Sequence, residues 1–467
     1  MFGVPLFRGR PLACRLGASV SIIGFSIFVA SGCATTPGKA SSATARVDDD
    51  RPSSHAPLPA RSSAVGALER DVLDRGAYVR AVLERNPTVE SARQGWHAAR
   101  SRVQQSGTFD DPMVDIGLAP LSIGSATARA GYEIGISQKL PWFGKRDLEA
   151  SAAEADAAQS DFEVLKRELA LSAVLLYDQY FVAARSIEIN AHHVELMRAL
   201  RDAATAQFQA GRASAQDPLQ AEAELAHLEH DSAVLAAQRA VTVAQMNELL
   251  HRAPELPLPP PPTELALPAT PRTRDTEQLE SDAITQRSEV RAARQRARGA
   301  QARADRAERE SYPDLTVSTS YNSMWDMPEH RWMVGLGFSL PVQSGRRVGA
   351  ADEARALRAQ FDSDAAHLSD AARTQVFVAL QQLQESEHVI GLFEKRLLPI
   401  ARAQIDAARA AFTASQSPFT AWVETEKNLR RVELDYQMAR AECDRHRAEL
   451  ERALGRIPGL DAQEDKP

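Results

Sequence analysis

A strand that runs directly into a very long helix occurs twice in this chain, and this join constrains its fold more than any other feature. From residue 132 to 140 apolar and polar residues alternate, which indicates a strand with one apolar and one polar face. A proline and a glycine follow, and a long helical pattern then begins. The same order of features recurs from residue 332 onward. The repetition predicts an internal duplication.

Each join is preceded by another alternating segment, so each half of the chain predicts a β-hairpin. In the first half we expect strands at about 113–118 and 131–140. In the second half we expect them at about 314–321 and 332–340. A loop of mostly small residues separates the first pair, and residues 322–331 separate the second.

Long helices account for most of the remaining sequence. Apolar residues step by three and four from residue 145 to 209, which predicts a rod of about 100 Å. After a turn at 210–217, a return helix is predicted over 218–250. The second half repeats this plan with helices over 349–412 and 419–454, the first of them kinked near its end by Pro399. Aromatic residues make up only 6% of the chain, which suits long thin helices better than one thick core.

The N-terminus has the features of a targeting signal. Three arginines precede an apolar run at 16–30, which is shorter than the ~20 residues of a typical membrane-spanning helix. Ala30-Ser31-Gly32-Cys33 resembles a bacterial lipobox, a motif in which the cysteine is lipidated after cleavage. We therefore predict a lipoprotein signal peptide at 1–32 and a flexible tether at 33–70. The alternative is an ordinary signal peptide with an incidental cysteine.

The body of the chain divides into two repeats in this interpretation. The first covers 71–253 and the second covers 276–455, with a short tail at 456–467. Eight prolines lie between residues 254 and 271, so a stiff linker is predicted at 254–275.

Composition excludes several classes of function. The net charge of −7 does not indicate nucleic-acid binding. The sequence contains no Gly-x-Ser-x-Gly, no His-Glu-x-x-His and no glycine-rich phosphate loop, so we expect neither an enzyme nor a cofactor. After the N-terminal signal the sequence has no run of 18 apolar residues, so any membrane-spanning segments would have to be strands.

Four strands cannot close a membrane barrel by themselves. The smallest membrane barrels have about eight strands, and open strand edges are not tolerated in lipid. Several copies of the chain would therefore have to pool their hairpins: two copies supply eight strands and three supply twelve. A ring of chains would also give the long alanine-rich helices neighbours on both sides.

The motif at the first join resembles a known family. Residues 136–145 read ISQKLPWFGK, and residues 321–325 and 330–335 read YNSMW and HRWMVG. Together with the duplicated plan, these segments resemble TolC-family outer-membrane efflux proteins, and specifically the heavy-metal resistance-nodulation-division (RND) branch, which is CzcC/CusC-like. The second half departs from the motif, with PVQSG after its strand where the first half has PWFG.

The resemblance implies a fold that is mainly α with a small β part. In it the protomer is a duplicated unit of helix, β-hairpin and long helix. Three such protomers would form a 12-stranded outer-membrane β-barrel continuous with a periplasmic α-barrel. The resemblance also implies a homotrimer in outer-membrane lipid, served by a periplasmic adaptor (membrane fusion) protein and an inner-membrane RND pump.

The function implied is a passive exit duct of a tripartite efflux system, carrying heavy-metal cations from the periplasm to the exterior. The same architecture also serves drug efflux and type I secretion, and these alternatives stay open. A more remote alternative is a periplasmic coiled-coil scaffold without a pore.

Acidic residues near the two helical turns are candidates for a periplasmic gate, because threefold symmetry would turn each pore-facing acid into a ring that attracts cations. The candidate gate residues are Gly211, Asp217, Glu222, Glu424 and Glu426. For Asp217 the alternative is helix capping, and for the glutamates it is a solvated helix face. Gly211, by its φ freedom, and Phe208 and Phe412, by packing, are expected to shape the turns.

Two groups of residues are candidate ligands for soft or borderline metal ions. Four lie in or beside the second hairpin loop and offer thioether and imidazole groups: Met324, Met327, His330 and Met333. A second, weaker group is His227, His230 and Glu224 on one helix. The alternatives are an exposed loop with a lumen-facing Met333, and a solvated helix face.

Three tryptophans lie near the predicted strand ends. Trp325 and Trp332 are expected to belong to an aromatic girdle at the membrane interface. Trp142 fits the same girdle or ordinary packing at the junction of barrel and helix.

Overall fold

The computed structural model describes residues 71–124, 130–143, 145, 147–265, 276–414 and 416–460. The predicted signal peptide, the lipidation site Cys33 and the tether at 33–70 lie outside the described residues. So do part of the proline-rich linker and most of the C-terminal tail.

Helices form most of the described chain. Those of the first half are α1 (Arg75–Arg85), α2 (Pro87–Gly107), α3 (Leu148–Gln209) and α4 (Gln216–Leu249). Those of the second half are α5 (Thr276–Gln286), α6 (Ser288–Arg309), α7 (Ser344–Leu392), α8 (Leu398–Thr413) and α9 (Phe419–Ala453). At 62 residues, α3 is about 93 Å long.

Capping explains where the first two helices begin. The Asp74 side chain accepts a hydrogen bond from Ala77 N at 2.8 Å, which fixes the start of α1. Asn86 does the same for α2 by accepting from Thr88 N at 2.9 Å, with Pro87 at the first helical position. The backbone N–H groups at these helix ends are thus satisfied by local side chains.

The second long helix is interrupted. It begins at Ser344, five residues before the predicted start, and passes into a π-helical turn at Phe393–Leu397 before α8. Pro399 explains the turn, because it has no N–H to donate and its ring clashes with the carbonyl group four residues earlier. The irregular turn lies beside the proline at which the sequence predicts a kink.

The two predicted hairpins form one four-stranded antiparallel sheet. Its strands are β1 (Met113–Ala119), β2 (Gly131–Leu140), β3 (Asp314–Asn322) and β4 (Trp332–Ser339), in that spatial order. The predicted boundaries are correct to within one residue. The central pairing of β2 with β3 joins the two halves of the chain, with Ile134 opposite Tyr321.

Three apolar clusters hold the described helices together. The first packs α1, α3 and the proline-rich segment around Tyr78, Tyr177 and Phe181. The linker is anchored there, because Tyr180 Oη donates to Pro259 O at 3.0 Å and Leu73 N donates to Pro260 O at 2.9 Å. A second cluster lies near the helical turns, and a third joins α5, α7 and α9. Among the described helices, none is both long and apolar enough to cross a membrane.

Candidate functional site

One face of the sheet is apolar and exposed. Its residues alternate along each strand and are aligned across the sheet by the strand register. On the two outer strands they are Val114, Ile116 and Leu118 on β1, and Trp332, Val334, Leu336 and Phe338 on β4. Ile116 is 70% exposed and Val334 is 80% exposed. An apolar surface of this extent marks contact with lipid or with another protein.

Both outer strands have a free edge. Within the described chain, β1 pairs only with β2 and β4 pairs only with β3. A free edge presents unpaired N–H and C=O groups, which lipid cannot satisfy. The sheet is therefore incomplete as a membrane-spanning unit in a single chain.

The opposite face of the sheet is polar and rich in small residues. Glu133, Ser137 and Lys139 on β2 lie on it, beside serines and threonines of β3. Close approach explains one glycine of β4, because a Cβ at position 335 would lie 2.6 Å from Ser318 Oγ. Met333 lies on this polar face opposite Ser320, as the lumen-facing interpretation expects.

Aromatic residues lie at both ends of the apolar face. At the loop end, the Tyr321 ring lies 5.9 Å from that of Tyr132 and 5.4 Å from that of Trp332. At the helix end, Trp142 stacks on Tyr312 at 5.8 Å. The ten residues of β2 span about 33 Å along the strand, or ~23 Å with a tilt near 45°. The spacing approaches the ~25 Å height of an outer-membrane apolar band.

The residues of the second hairpin loop have separate local contacts. Met324 packs over Gly131, where a Cβ would lie 2.8 Å from Met324 Cγ. The His330 ring meets the Trp325 ring edge-on at 6.1 Å, and Met327 is exposed. The structure thus gives Met324 and His330 packing partners and leaves metal binding by the four loop residues a prediction.

The turn between α3 and α4 depends on Gly211, which has a φ of +70°. Arg212 N donates to Gln207 O and Gly211 N donates to Phe208 O, each at 2.9 Å. This pair of bonds is a Schellman motif, which favours glycine at the position after the C-cap. Gly211 therefore shapes the turn by its backbone conformation, as expected.

The capping role expected for Asp217 is wrong. Helix α4 begins at Gln216, so Asp217 lies in its first turn, and the N-cap Ala215 makes no side-chain cap. Ser214 Oγ instead accepts from Gln216 N at 3.2 Å. Asp217 is half-buried, and its charge is favourably placed at the positive end of the helix dipole.

Aromatic packing forms the base of the second turn. Phe412, Phe419 and Trp422 are all buried, and Phe412 lies 5.4 Å from Phe419 and 5.2 Å from Trp422 between ring centroids. They belong to the cluster that includes Met197 and Leu228, so both turns share one core. Sequence reasoning missed Phe419 and Trp422, although their spacing of three marks one helix face.

The candidate acids of the return helices divide into two kinds. Glu222 and Glu424 are exposed. Glu426 is fully buried, so its assignment as a pore-facing acid is wrong. The pattern Glu-x-Glu explains the split, because residues two apart on a helix point in different directions.

Glu426 instead belongs to a buried ionic cluster that ties α3 to α9. His193 Nδ1 lies 2.5 Å from Glu426 Oε1, and Nε2 lies 3.1 Å from Glu433 Oε2. Burial alone would lower the pKa of His193, but the hydrogen bonds to both carboxylates outweigh it and raise the pKa above 6.5. Burial alone would raise the pKa of Glu433, but the hydrogen bond to His193 outweighs it and lowers the pKa below 4.5. The cluster therefore favours a charged imidazolium between two carboxylates.

A second ionic cluster ties α4 to α9. Lys427 Nζ lies 3.1 Å from Glu224 Oε2, and Arg430 reaches Glu224 at 3.7 Å and Asp231 at 2.8 Å. Glu224 is thus buried and paired, while His227 and His230 are exposed. The residues that the structure describes include no group of three His, Cys, Asp or Glu able to hold a metal ion. The metal site suggested for Glu224, His227 and His230 is wrong.

Comparison with solved structures identifies the fold class of this chain. With TM-scores of 0.72 and 0.69, the chain shares the fold of solved structures of CusC and of the outer-membrane channel OprN. CusC is 16% identical and the match covers 82% of this chain and 92% of that one. OprN is 21% identical, and the match covers 82% of this chain and 89% of that one. The chain therefore has the TolC-like outer-membrane channel fold.

Sequence comparisons agree with this class. Residues 279–456 match the family described as outer membrane efflux protein. Nodulation protein T of Rhizobium leguminosarum bv. viciae is 25% identical over 334 residues, which is 66% of this chain and 65% of that protein. The chain thus matches just under two thirds of that relative's length. The family match thus lies in the second half of the chain, and the fold of both halves is the one shared with CusC and OprN.

Proposed function

We propose that this protein is the outer-membrane exit duct of a tripartite efflux system. The observation that carries the proposal is the sheet, which has one exposed apolar face, two free edges and a pair of long helices leaving the same end. Three copies would supply twelve strands, satisfy every edge and turn the apolar faces toward lipid. The polar faces, with their small side chains, would then line a water-filled lumen.

The assembly would place the long helices in the periplasm and the strands in the outer membrane. The two helical turns would form the inner end of the duct, where we place the gate and the contact with a periplasmic adaptor and an RND pump. The protein itself would perform no chemistry, so the energy would come from the pump. Lipidation of Cys33 would add a second membrane anchor.

The proposal places Glu222 and Glu424 at the gate surface, with Gly211 and Asp217 in the turn beside them. Rings of three exposed carboxylates would attract cations. Glu426 would act differently, as part of the internal cluster that keeps α9 against α3. The aromatic row that includes Trp332 would serve as a membrane girdle.

Single-channel recording tests the duct directly. The full chain, purified as a lipoprotein, is inserted into planar bilayers and its conductance is compared in Glu424→Ala and wild type. Discrete channels whose cation preference falls in Glu424→Ala would support both the duct and the gate. Protein that associates with lipid vesicles but never conducts would favour the scaffold alternative.

We further propose heavy-metal cations as the cargo, with drug efflux and type I secretion as alternatives. Support for metal cargo comes from the ISQKLPWFGK motif at residues 136–145. The test is a deletion strain challenged with a series of metal salts and a series of lipophilic drugs. Sensitivity to metals alone supports the proposal, while sensitivity to drugs alone would replace it. Met324→Leu and Met327→Leu variants would then report whether the loop methionines contribute.

A further inference from the structure

A cavity at the junction of sheet and helices has a charge that none of the roles above uses. It has a volume of about 350 Å³ and lies at the helix end of the sheet. Lys139, Asp314 and Ser339 line it, and the register places all three on the polar face. The ends of α6 and α7 form its other walls.

Positive charge dominates the lining. Five cationic side chains contribute, namely Lys139, Lys145, Arg306, Arg346 and Arg347, against the two carboxylates of Glu310 and Asp314. The cavity lining thus has three positive charges in excess. An excess of this kind in a concave, partly enclosed site concentrates anions.

Both carboxylates are already engaged. Asp314 binds Lys145 Nζ at 2.7 Å and Lys139 Nζ at 3.5 Å. Glu310 Oε1 lies 3.6 Å from Arg306 Nη2. These carboxylates therefore offset only the charges of Lys139, Lys145 and Arg306.

The two arginines of α7 that line the cavity, Arg346 and Arg347, have no carboxylate partner in the described part of the chain. Arg347 donates to two neutral carbonyls, Glu310 O at 3.1 Å and Gln343 O at 3.2 Å. Arg346 is exposed and has no ion pair or side-chain hydrogen bond with any residue that the structure describes. A guanidinium group without a carboxylate partner presents its planar fork of N–H donors to an incoming anion.

The start of α7 adds a third favourable feature. This 49-residue helix begins at Ser344, its N-cap Gln343 makes no side-chain capping bond, and its first turn contains no acidic residue. Its N-terminal N–H groups and dipole therefore favour negative charge on the side where Arg346 and Arg347 lie.

We propose that this cavity is a binding site for a phosphate-type oxyanion, with Arg346 as its principal ligand and Arg347 and the α7 N-terminus beside it. A tetrahedral oxyanion can accept from a guanidinium fork and from backbone N–H groups at once, which a chloride ion cannot do equally well. The oxyanion could be free phosphate or the phosphoryl group of a lipid. Binding by one chain does not depend on the duct, so the site stands or falls separately from the proposed function.

Isothermal titration of the full chain in detergent with inorganic phosphate tests the site, at constant ionic strength. We expect saturable binding, weakened about tenfold or more in Arg346→Ala and largely retained in Arg346→Lys. Arg373→Ala is the matched control, because Arg373 lies on the same helix, outside the cavity, in an exposed pair with Asp370. It should bind phosphate as the unmodified chain does.

Native mass spectrometry of the same proteins separates the two sources of phosphate. A phospholipid that co-purifies with the chain and with Arg373→Ala, but is lost from Arg346→Ala, would identify a lipid headgroup as the occupant. Phosphate binding without such a lipid would identify the free anion. The site is refuted if no saturable binding and no retained lipid are found, or if Arg346→Ala matches the control in both assays.

Discussion

His193 Nδ1 of α3 and Glu426 Oε1 of α9 lie 2.5 Å apart, and neither side chain is exposed to solvent. The contact joins the two halves of the duplicated chain near their turns. Glu426 lies seven residues after Phe419, so the contact is about 10 Å along α9 from the second turn. In the proposed duct, separation of α9 from α3 would have to break this contact.

Removal of one partner should destabilise the turns strongly. We expect His193→Ala to cost about 3 kcal/mol or more, because it leaves the Glu426 charge buried without a partner. Denaturant unfolding followed by the fluorescence of Trp422 would measure the loss, with the other four tryptophans replaced by phenylalanine. Arg198→Ala is the control, since its pair with Glu195 is exposed and should contribute less than about 1 kcal/mol. Equal effects of the two variants would contradict the assigned role.

The same cluster predicts a pH dependence with a definite sign. The folded pKa of His193 is raised above 6.5, so its contribution is full below pH 6.5 and is lost as pH rises through the folded pKa. The folded pKa of Glu433 is lowered from 4.5, so its contribution is present above that pH and is lost as pH falls through the folded pKa. The link between α3 and α9 should therefore be strongest between about pH 5 and 6.5.

Hydrogen exchange of the α9 amides at several pH values would check this dependence, after correction for the intrinsic exchange rate. The protection difference between the wild type and His193→Gln should be largest in that range and shrink toward pH 9. A difference that grows as pH rises would show that His193 is neutral in the folded protein.

The exposed and buried glutamates of α9 should have different effects on the gate. Glu424→Gln removes a surface charge, so we expect a lower cation preference with unchanged stability. Glu426→Gln weakens the internal tie to His193, so we expect more frequent opening and lower stability. Reversal potentials and open probabilities in planar bilayers would separate the two effects. Identical behaviour of the two variants would contradict the division.

The apolar face of the sheet predicts which tryptophans meet lipid. Trp332 lies on this face and is 68% exposed, whereas Trp422 is buried between helices. In single-tryptophan variants reconstituted with brominated phospholipids, the fluorescence of Trp332 should be quenched severalfold more than that of Trp422. Equal quenching would argue against the assigned lipid face.

The strands and long helices were predictable because each has a strong period. Alternation fixed β2 and β4 to within one residue, and steps of three and four located α3. The start of α7 was placed five residues late, because Ser-Gly-Arg-Arg after a proline gives no apolar period to follow. Local sequence also suggests Asp217 as a cap, whereas the helix begins at Gln216, two residues before the predicted start.

The buried charges could not be found in the same way. Glu424 and Glu426 are chemically identical and two residues apart, and only the packing of α9 against α3 decides which one is buried. His193 was not singled out because its partners lie more than 230 residues away. Pairings over such distances depend on tertiary structure, which a single sequence does not reveal.

The most direct test of the central claim is the oligomer mass of the full chain in detergent, with bilayer conductance measured on the same sample. The free edges of β1 and β4 and the exposed apolar face require more than one chain, and the proposed duct predicts a mass of three chains and discrete channels of uniform conductance. A monomer that stays folded in detergent and never conducts would contradict the account, because its sheet would then be stable in lipid with both edges open.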